Sequence, residues 1–204
     1  MRITSTSAIV FTIMLLNAQS ARFEEAKRTG MGLILAEKFD RGAGRLEEVW
    51  EQDQSDAAVG EYLAMAYLNT EEKRSLPKIE TTAFAIINRL VSAGSQVSFL
   101  VLHSHEKLGL ISGRELNQYC RGRLSVLNHR ISYIADKGEK ASQHSFEGMD
   151  SDGLKDTVLN KDDSRGTFQL KTKSLGNLFL ATRNRNKNEA KFIVELIHKE
   201  VTSR

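Results

Sequence analysis

Six apolar residues, Leu116, Cys120, Leu124, Leu127, Ile131 and Ile134, follow one another at steps of four, four, three, four and three. Residues at those steps share one side of an α-helix, because each position turns by about 100°. In front of them, Ser112 and Glu115 have the spacing of a capping box, in which each side chain satisfies a backbone donor near the other. Lys137 and then Gly138 suit a helix C-terminus, where a cation meets the exposed carbonyls and glycine takes the reversing turn. The pattern predicts a helix over roughly residues 113–137. It points the chain towards helix-on-helix packing.

Neighbouring segments extend that reading. Residues 22–38 have helical character, interrupted by Gly30 and Gly32, each costing about 1 kcal/mol inside a helix. Gly42-Ala43-Gly44 reads as a break, after which Leu46, Val49 and Trp50 open another amphipathic stretch. Asp56 is placed to cap a helix from Ala57 to Leu68, and Ser75-Leu76-Pro77 suits the start of the next. Ile79, Ala83, Ile86, Ile87 and Leu90 then fall on one helical face, and Gly94 closes the run. Val97 to Leu102 is dense enough for helix or strand. The His-Ser-His-Glu-Lys-Leu-Gly that follows favours helix.

Residues 138–166 are rich in Gly, Ser, Asp, Lys and Glu and read as a long polar, flexible loop. Thr167 to Lys173 alternates like one short strand, with Phe168 and Leu170 on one side. Residues 176–182 and 188–202 read as helices, the latter with Phe192, Ile193, Ile197 and Val201 on a common face. The expected fold is mainly α, a bundle of about five to seven helices with one long loop. A single proline and the lack of a repeat argue against a β-sandwich.

The first residues carry a different signal. Arg2 supplies a positive charge, Ala8 to Leu16 forms a short apolar core, and Ala18-Gln19-Ser20 sets small residues where a signal peptidase reads. Residues 1–20 are expected to be a secretory signal peptide cleaved before Ala21. The apolar run is about half of the roughly 20 residues a membrane span requires, so no transmembrane segment is expected. Cys120 is the only cysteine, which excludes an internal disulfide and leaves stability to apolar packing. On its helical face it reads as a buried structural thiol. No Asn-x-Ser/Thr acceptor occurs.

The formal charge of +3 hides an asymmetry. Residues 21–75 hold 8 basic and 12 acidic side chains; residues 76–204 hold 20 and 14. A basic second part favours an anionic partner, set against the ordinary reading of a mixed, solvated surface. Nucleic acid is not the expected partner. Arg114, Arg121, Arg123 and Arg130 decorate the expected helix 113–137, where the two pairs diverge in direction. Arg183, Arg185, Lys187 and Lys191 make a second basic cluster and a possible contact surface.

Catalytic and metal motifs are wanting. His103 and His105 would point about 200° apart on a helix and could not share an ion. Asp150-Ser151-Asp152-Gly153 resembles a calcium loop, but that alignment puts Gly148 and Leu159 where carboxylates belong. Gly30-Met31-Gly32 is a fragment of a dinucleotide fingerprint and follows no strand. No spacing pairs a nucleophile with a base. No cofactor and no enzymatic activity are expected.

Glu71, Glu72, Lys73 and Arg74 close the acidic lead. A signal peptide, a polar lead ending in such a cluster and a cysteine-poor body resemble secreted oomycete effectors of the RxLR class. The cluster is similar to that family's second motif. The first motif is missing, since Arg45-Leu46-Glu47-Glu48 lacks its closing arginine. The resemblance implies a polar lead over 21–74, a helical effector domain over 75–204, and a host protein as target in the host cytoplasm or nucleus. The competing expectation is an extracellular helical carrier or interaction protein, binding a small apolar ligand between its helices.

Overall fold

The computed structural model describes residues 5–70, 76–104, 119–136, 145–160 and 165–202. Four helices come first: α1 (Ser5–Leu35), α2 (Phe39–Gln52), α3 (Ala57–Asn69) and α4 (Leu76–Ser92). Seven strands follow: β1 (Val97–Ser104), β2 (Tyr119–Leu127), β3 (Arg130–Ala135), β4 (Phe146–Met149), β5 (Leu154–Leu159), β6 (Thr167–Thr172) and β7 (Asn177–Thr182). A last helix, α5 (Lys187–Ile197), runs into a π-type turn at His198–Thr202. The strands form one antiparallel sheet in the order β4-β3-β2-β1-β7-β6-β5.

This mixed α/β architecture overturns the expectation of a mainly α bundle. The decisive correction falls on residues 113–137. In their described part the chain forms the β2–β3 hairpin. Asn128 and His129 form its two-residue turn at φ 48° and 62°, both left-handed, as a twist-matched hairpin turn requires. On strands the side chains alternate, so Gly122, Leu124 and Val126 are buried together with Ile131, Tyr133 and Ala135 across the hairpin. The steps of three in the apolar stripe send Leu127 and Ile134 to the other face, where they are 38% and 52% exposed. The proposed capping box and the helix-ending Lys137-Gly138 lie outside the described residues.

Further expectations fail for related reasons. Of the two forms open to Val97 to Leu102, the chain takes the strand and not the favoured helix, because α4 and the sheet bury it from both sides. Residues 176–182 are β7 and not helix, with Leu180 and Ala181 fully buried between neighbouring strands. The loop expected over 138–166 contains β4 and β5. Its polar residues stand on the outer sides of edge strands, where charge is at home. Gly42-Ala43-Gly44 is no break either. It lies inside α2, and Gly30 and Gly32 lie inside α1. Two of them sit at the helix contact: a Cβ on Gly30 would come within 2.6 Å of the Leu46 Cδ2, and one on Gly42 would press against the Ile34 side chain. The lack of a side chain at Gly30 and Gly42 lets α1 and α2 approach closely.

Other expectations hold. The Asp56 carboxylate accepts from the backbone N–H of Ala58 and Val59, both at 3.1 Å, and caps α3. Helix α4, strand β6 and the C-terminal helix stand where the sequence puts them.

The sheet is strongly curved. β4 and β5 lie at opposite edges, yet only residues 150–153 connect them. Five chain steps from Met149 to Leu154 span at most about 18 Å. Six strand spacings in a flat sheet would need about 29 Å. The two edges therefore curl towards each other, and the turn is fastened by the Asp150 carboxylate, which accepts from Asp152 N–H at 3.0 Å. The inner face holds the core: Phe99 and Val101 of β1, Leu124 of β2, Tyr133 of β3, Phe168 and Leu170 of β6 and Leu180 of β7. Phe192 of α5 stacks on Phe84 of α4 at 4.1 Å between centroids and meets Phe99 edge-on at 6.4 Å. Among the described residues, no helix is long and apolar enough to cross a membrane.

Candidate binding site on the polar face of the sheet

The strand period that buries Gly122, Leu124 and Val126 turns Arg121, Arg123, Ser125 and Leu127 to the opposite face. Pairing with β3 puts Ile134 opposite Arg123, Ser132 opposite Ser125 and Arg130 opposite Leu127. These residues, with Gln96, Asn128, Glu147 and Gly148, line a groove of about 750 Å³. A helix would have scattered the arginines. The hairpin gathers three of the four onto one face, and Arg114 lies outside the described residues.

The groove floor is tied down by hydroxyls. Ser98 and Ser125 share a hydrogen bond of 2.9 Å, and Ser98 donates to the Glu61 carboxylate at 2.5 Å. Gln96 also donates to Glu61, at 3.2 Å, so α3 holds the start of β1. Ser132 accepts from the Gly148 N–H at 2.9 Å, which positions the edge strand β4. Gly148 has φ 64°, and the Arg130 side chain runs past it, its nearest carbon 3.8 Å from where a Cβ would stand.

Charge is unevenly satisfied here. Arg121 pairs with Glu37 at 3.6 Å. Among the described residues, no carboxylate lies within ion-pair distance of Arg123 or Arg130. About four strand residues, or ~13 Å, separate their positions along the groove. Two guanidiniums that flank the half-exposed Leu127 and Ile134 give a face with charged ends and apolar flanks. Planar guanidinium groups match carboxylates in paired hydrogen bonds.

The second basic cluster is not a single patch of the same kind. Arg183 follows β7 and pairs with Glu37 at 2.5 Å, with its guanidinium 5.0 Å from the Phe39 ring centroid. Arg183 lowers the Glu37 pKa below its ordinary value by that hydrogen bond, helped by Arg121. Arg185 sits in the turn before α5 at φ 55°. Lys187 opens α5, and Lys191, one turn on, lies 3.7 Å from Glu195. Glu71, Glu72, Lys73 and Arg74 lie outside the described residues.

Two groupings were not visible in the sequence. Register places His103 of β1 opposite Cys120 of β2, with Tyr133 beside both. Their signal is non-local and depends on strand pairing. Glu189, in the first turn of α5, is 1% exposed, and neither carboxyl oxygen has a hydrogen-bond partner. Among the described residues, no three His, Cys, Asp or Glu side chains are grouped to hold a metal.

Compared with known proteins, the chain matches no family model and no curated protein sequence.

Proposed function

We propose that the protein is exported and works by binding, taking an extended acidic segment of a partner protein along the groove of β2, β3 and β4. The observation that carries this reading is the pair Arg123 and Arg130, with no carboxylate within ion-pair distance among the described residues, on a face that also exposes Leu127 and Ile134. Charge complementarity selects an acidic partner and speeds its approach, and the apolar flanks add contact area. Export is supported by the apolar core and small-residue site of residues 1–20.

A host protein as that partner, and with it a pathogen effector that perturbs host defence, is supported by the export signal and by Glu71-Glu72-Lys73-Arg74. The described body is mixed α/β, which differs from the helical domain that the effector resemblance implies. The test uses the chain from Ala21 onward and its Arg123→Glu/Arg130→Glu form, both on an exposed face. Acidic peptides titrated calorimetrically should bind the first and lose roughly tenfold or more in affinity on the second. Expressed in plant cells, the first should alter an immune output and the second should not. Equal binding and equal effect by both forms, with unchanged circular dichroism, would sink the reading.

A further inference from the structure

Two antiparallel strands have a local two-fold axis normal to the sheet at each facing pair of residues, because they run in opposite directions. In the β2–β3 hairpin, the axis between Ser125 and Ser132 exchanges side chains of like chemistry on the groove face. It carries Arg123 onto Arg130 and Leu127 onto Ile134. The face therefore has three rows: Arg123 beside Ile134, Ser125 beside Ser132, and Leu127 beside Arg130. The relation stops beyond them. At one end Arg121 is taken by Glu37 at 3.6 Å, and at the other the chain turns at Asn128 and His129.

Charge alternates from row to row. Each outer row holds a guanidinium, while the middle row has a carboxylate on either side. Glu147 and Gly148 of β4 stand opposite the single Ser132, and the exposed Glu147 lines the groove. On the other flank Ser125 shares its hydrogen bond with Ser98, whose hydroxyl donates to Glu61 at 2.5 Å. Successive rows lie two residues apart, about 7 Å, and an extended chain sets every second side chain on one side at that same interval. A segment laid along the hairpin thus meets the three rows with residues i, i+2 and i+4.

Building on the acidic-segment reading above, we infer that the groove selects an extended segment with acids at i and i+4 and a basic residue at i+2, and that it takes this segment in either chain direction. The two outer carboxylates receive paired hydrogen bonds from Arg123 and Arg130. The central cation lies between Glu147 and Glu61. An acid at that place is repelled, so an unbroken acidic run is rejected although its net charge is more negative. Leu127 and Ile134 cover the apolar stems beside each arginine. Reversing the segment exchanges i with i+4, and each end still meets a guanidinium.

The experiment titrates end-blocked peptides into the purified full chain by calorimetry. Asp-Ser-Lys-Gln-Asp within a neutral flank should bind about tenfold more tightly than an isomer with its two acids adjacent, and about tenfold more tightly than the form with Asp in place of Lys. Glu147→Gln should narrow the second gap to about threefold. A nitroxide on the peptide N-terminus should broaden the backbone amide signals of both Arg123 and Asn128, at opposite ends of the groove. Equal binding of the isomer, tighter binding of the all-acidic form, or a gap that Glu147→Gln leaves unmoved would overturn the selection while leaving an acidic partner in place. Broadening at one end alone would overturn the two-way binding. No binding by any of these peptides would remove the acidic-segment reading together with this one, as would a chain that sediments as a dimer dispersed by Arg123→Gln, since the face then belongs to a second copy.

Discussion

Glu189 carries no compensation for its burial. Desolvation pushes its pKa well above the ordinary carboxyl value of 4.5, and the neighbouring Glu80 of α4 adds to the effect. Glu80 is itself held by the side-chain amides of Asn186 at 3.1 Å and Asn188 at 3.4 Å, which leaves Glu189 to stay protonated. The folded chain thus keeps a proton that the unfolded chain releases above about pH 4.5. Stability from this group is fully present below that pH and is lost as pH rises towards the folded value. Urea unfolding at a series of pH values should show wild-type stability declining as pH rises above 5. Glu189→Gln, which cannot ionise, should flatten that decline; an identical slope in both would exclude Glu189 as its source. A second residue-scale effect lies where α1 meets α2. Gly30→Ala would press a methyl against Leu46, which is fully buried and has no room to yield. The expected cost is about 1–3 kcal/mol, read from the urea midpoint.

The β2–β3 hairpin tests what an element needs. Asn128 sits at φ 48°, a left-handed conformation that asparagine tolerates and β-branched residues resist. Asn128→Val should cost about 1–2 kcal/mol in thermal or urea unfolding. A helix through residues 113–137 would register almost nothing, so a neutral result would count against the hairpin. This element also shows where sequence patterns mislead. Apolar steps of four satisfy a helix and, being even, a strand equally well. Cys120 and Leu124 therefore could not distinguish the two, and the turn at Asn128-His129 lacked the glycine that usually announces a hairpin. Local chemistry was readable elsewhere. The Asp56 cap needs only residues two and three positions away, and the alternation of β6 is complete within six residues. The candidate site was not readable for the same reason that the sheet was not. Arg123 and Arg130 share a groove, and His103 faces Cys120, only once strand register is known.

At the scale of the whole molecule, one apolar core links the acidic N-terminal part to the basic remainder. It runs from Ile34 through Leu46, Trp50 and Leu63 to Ile87, Phe99, Ile193 and Val201. Polar ties cross the same divide: Glu61 to Ser98, Glu37 to Arg183, and the Asn184 amide to the Leu68 carbonyl at 2.8 Å. Cleavage before Ala21 would keep Phe23, Ala26, Met31 and Ile34, which all pack on the core. Each large apolar side chain buried there is worth about 1.5–3 kcal/mol against solvent. A net folding stability is only about 5–15 kcal/mol. Losing Leu46, Val49, Trp50, Leu63 and Met65 together would remove an amount comparable with that whole margin, about 7.5–15 kcal/mol, and would expose their partners on α4, among them Leu90. The chain from Ala21 onward should therefore melt in one cooperative transition by circular dichroism, while residues 75–204 alone should show no such transition and should bind a dye for exposed apolar surface. Cooperative melting of residues 75–204 at the same temperature would mean that the helical lead is an independent unit. The groove would then have to form without Glu61 to hold Ser98.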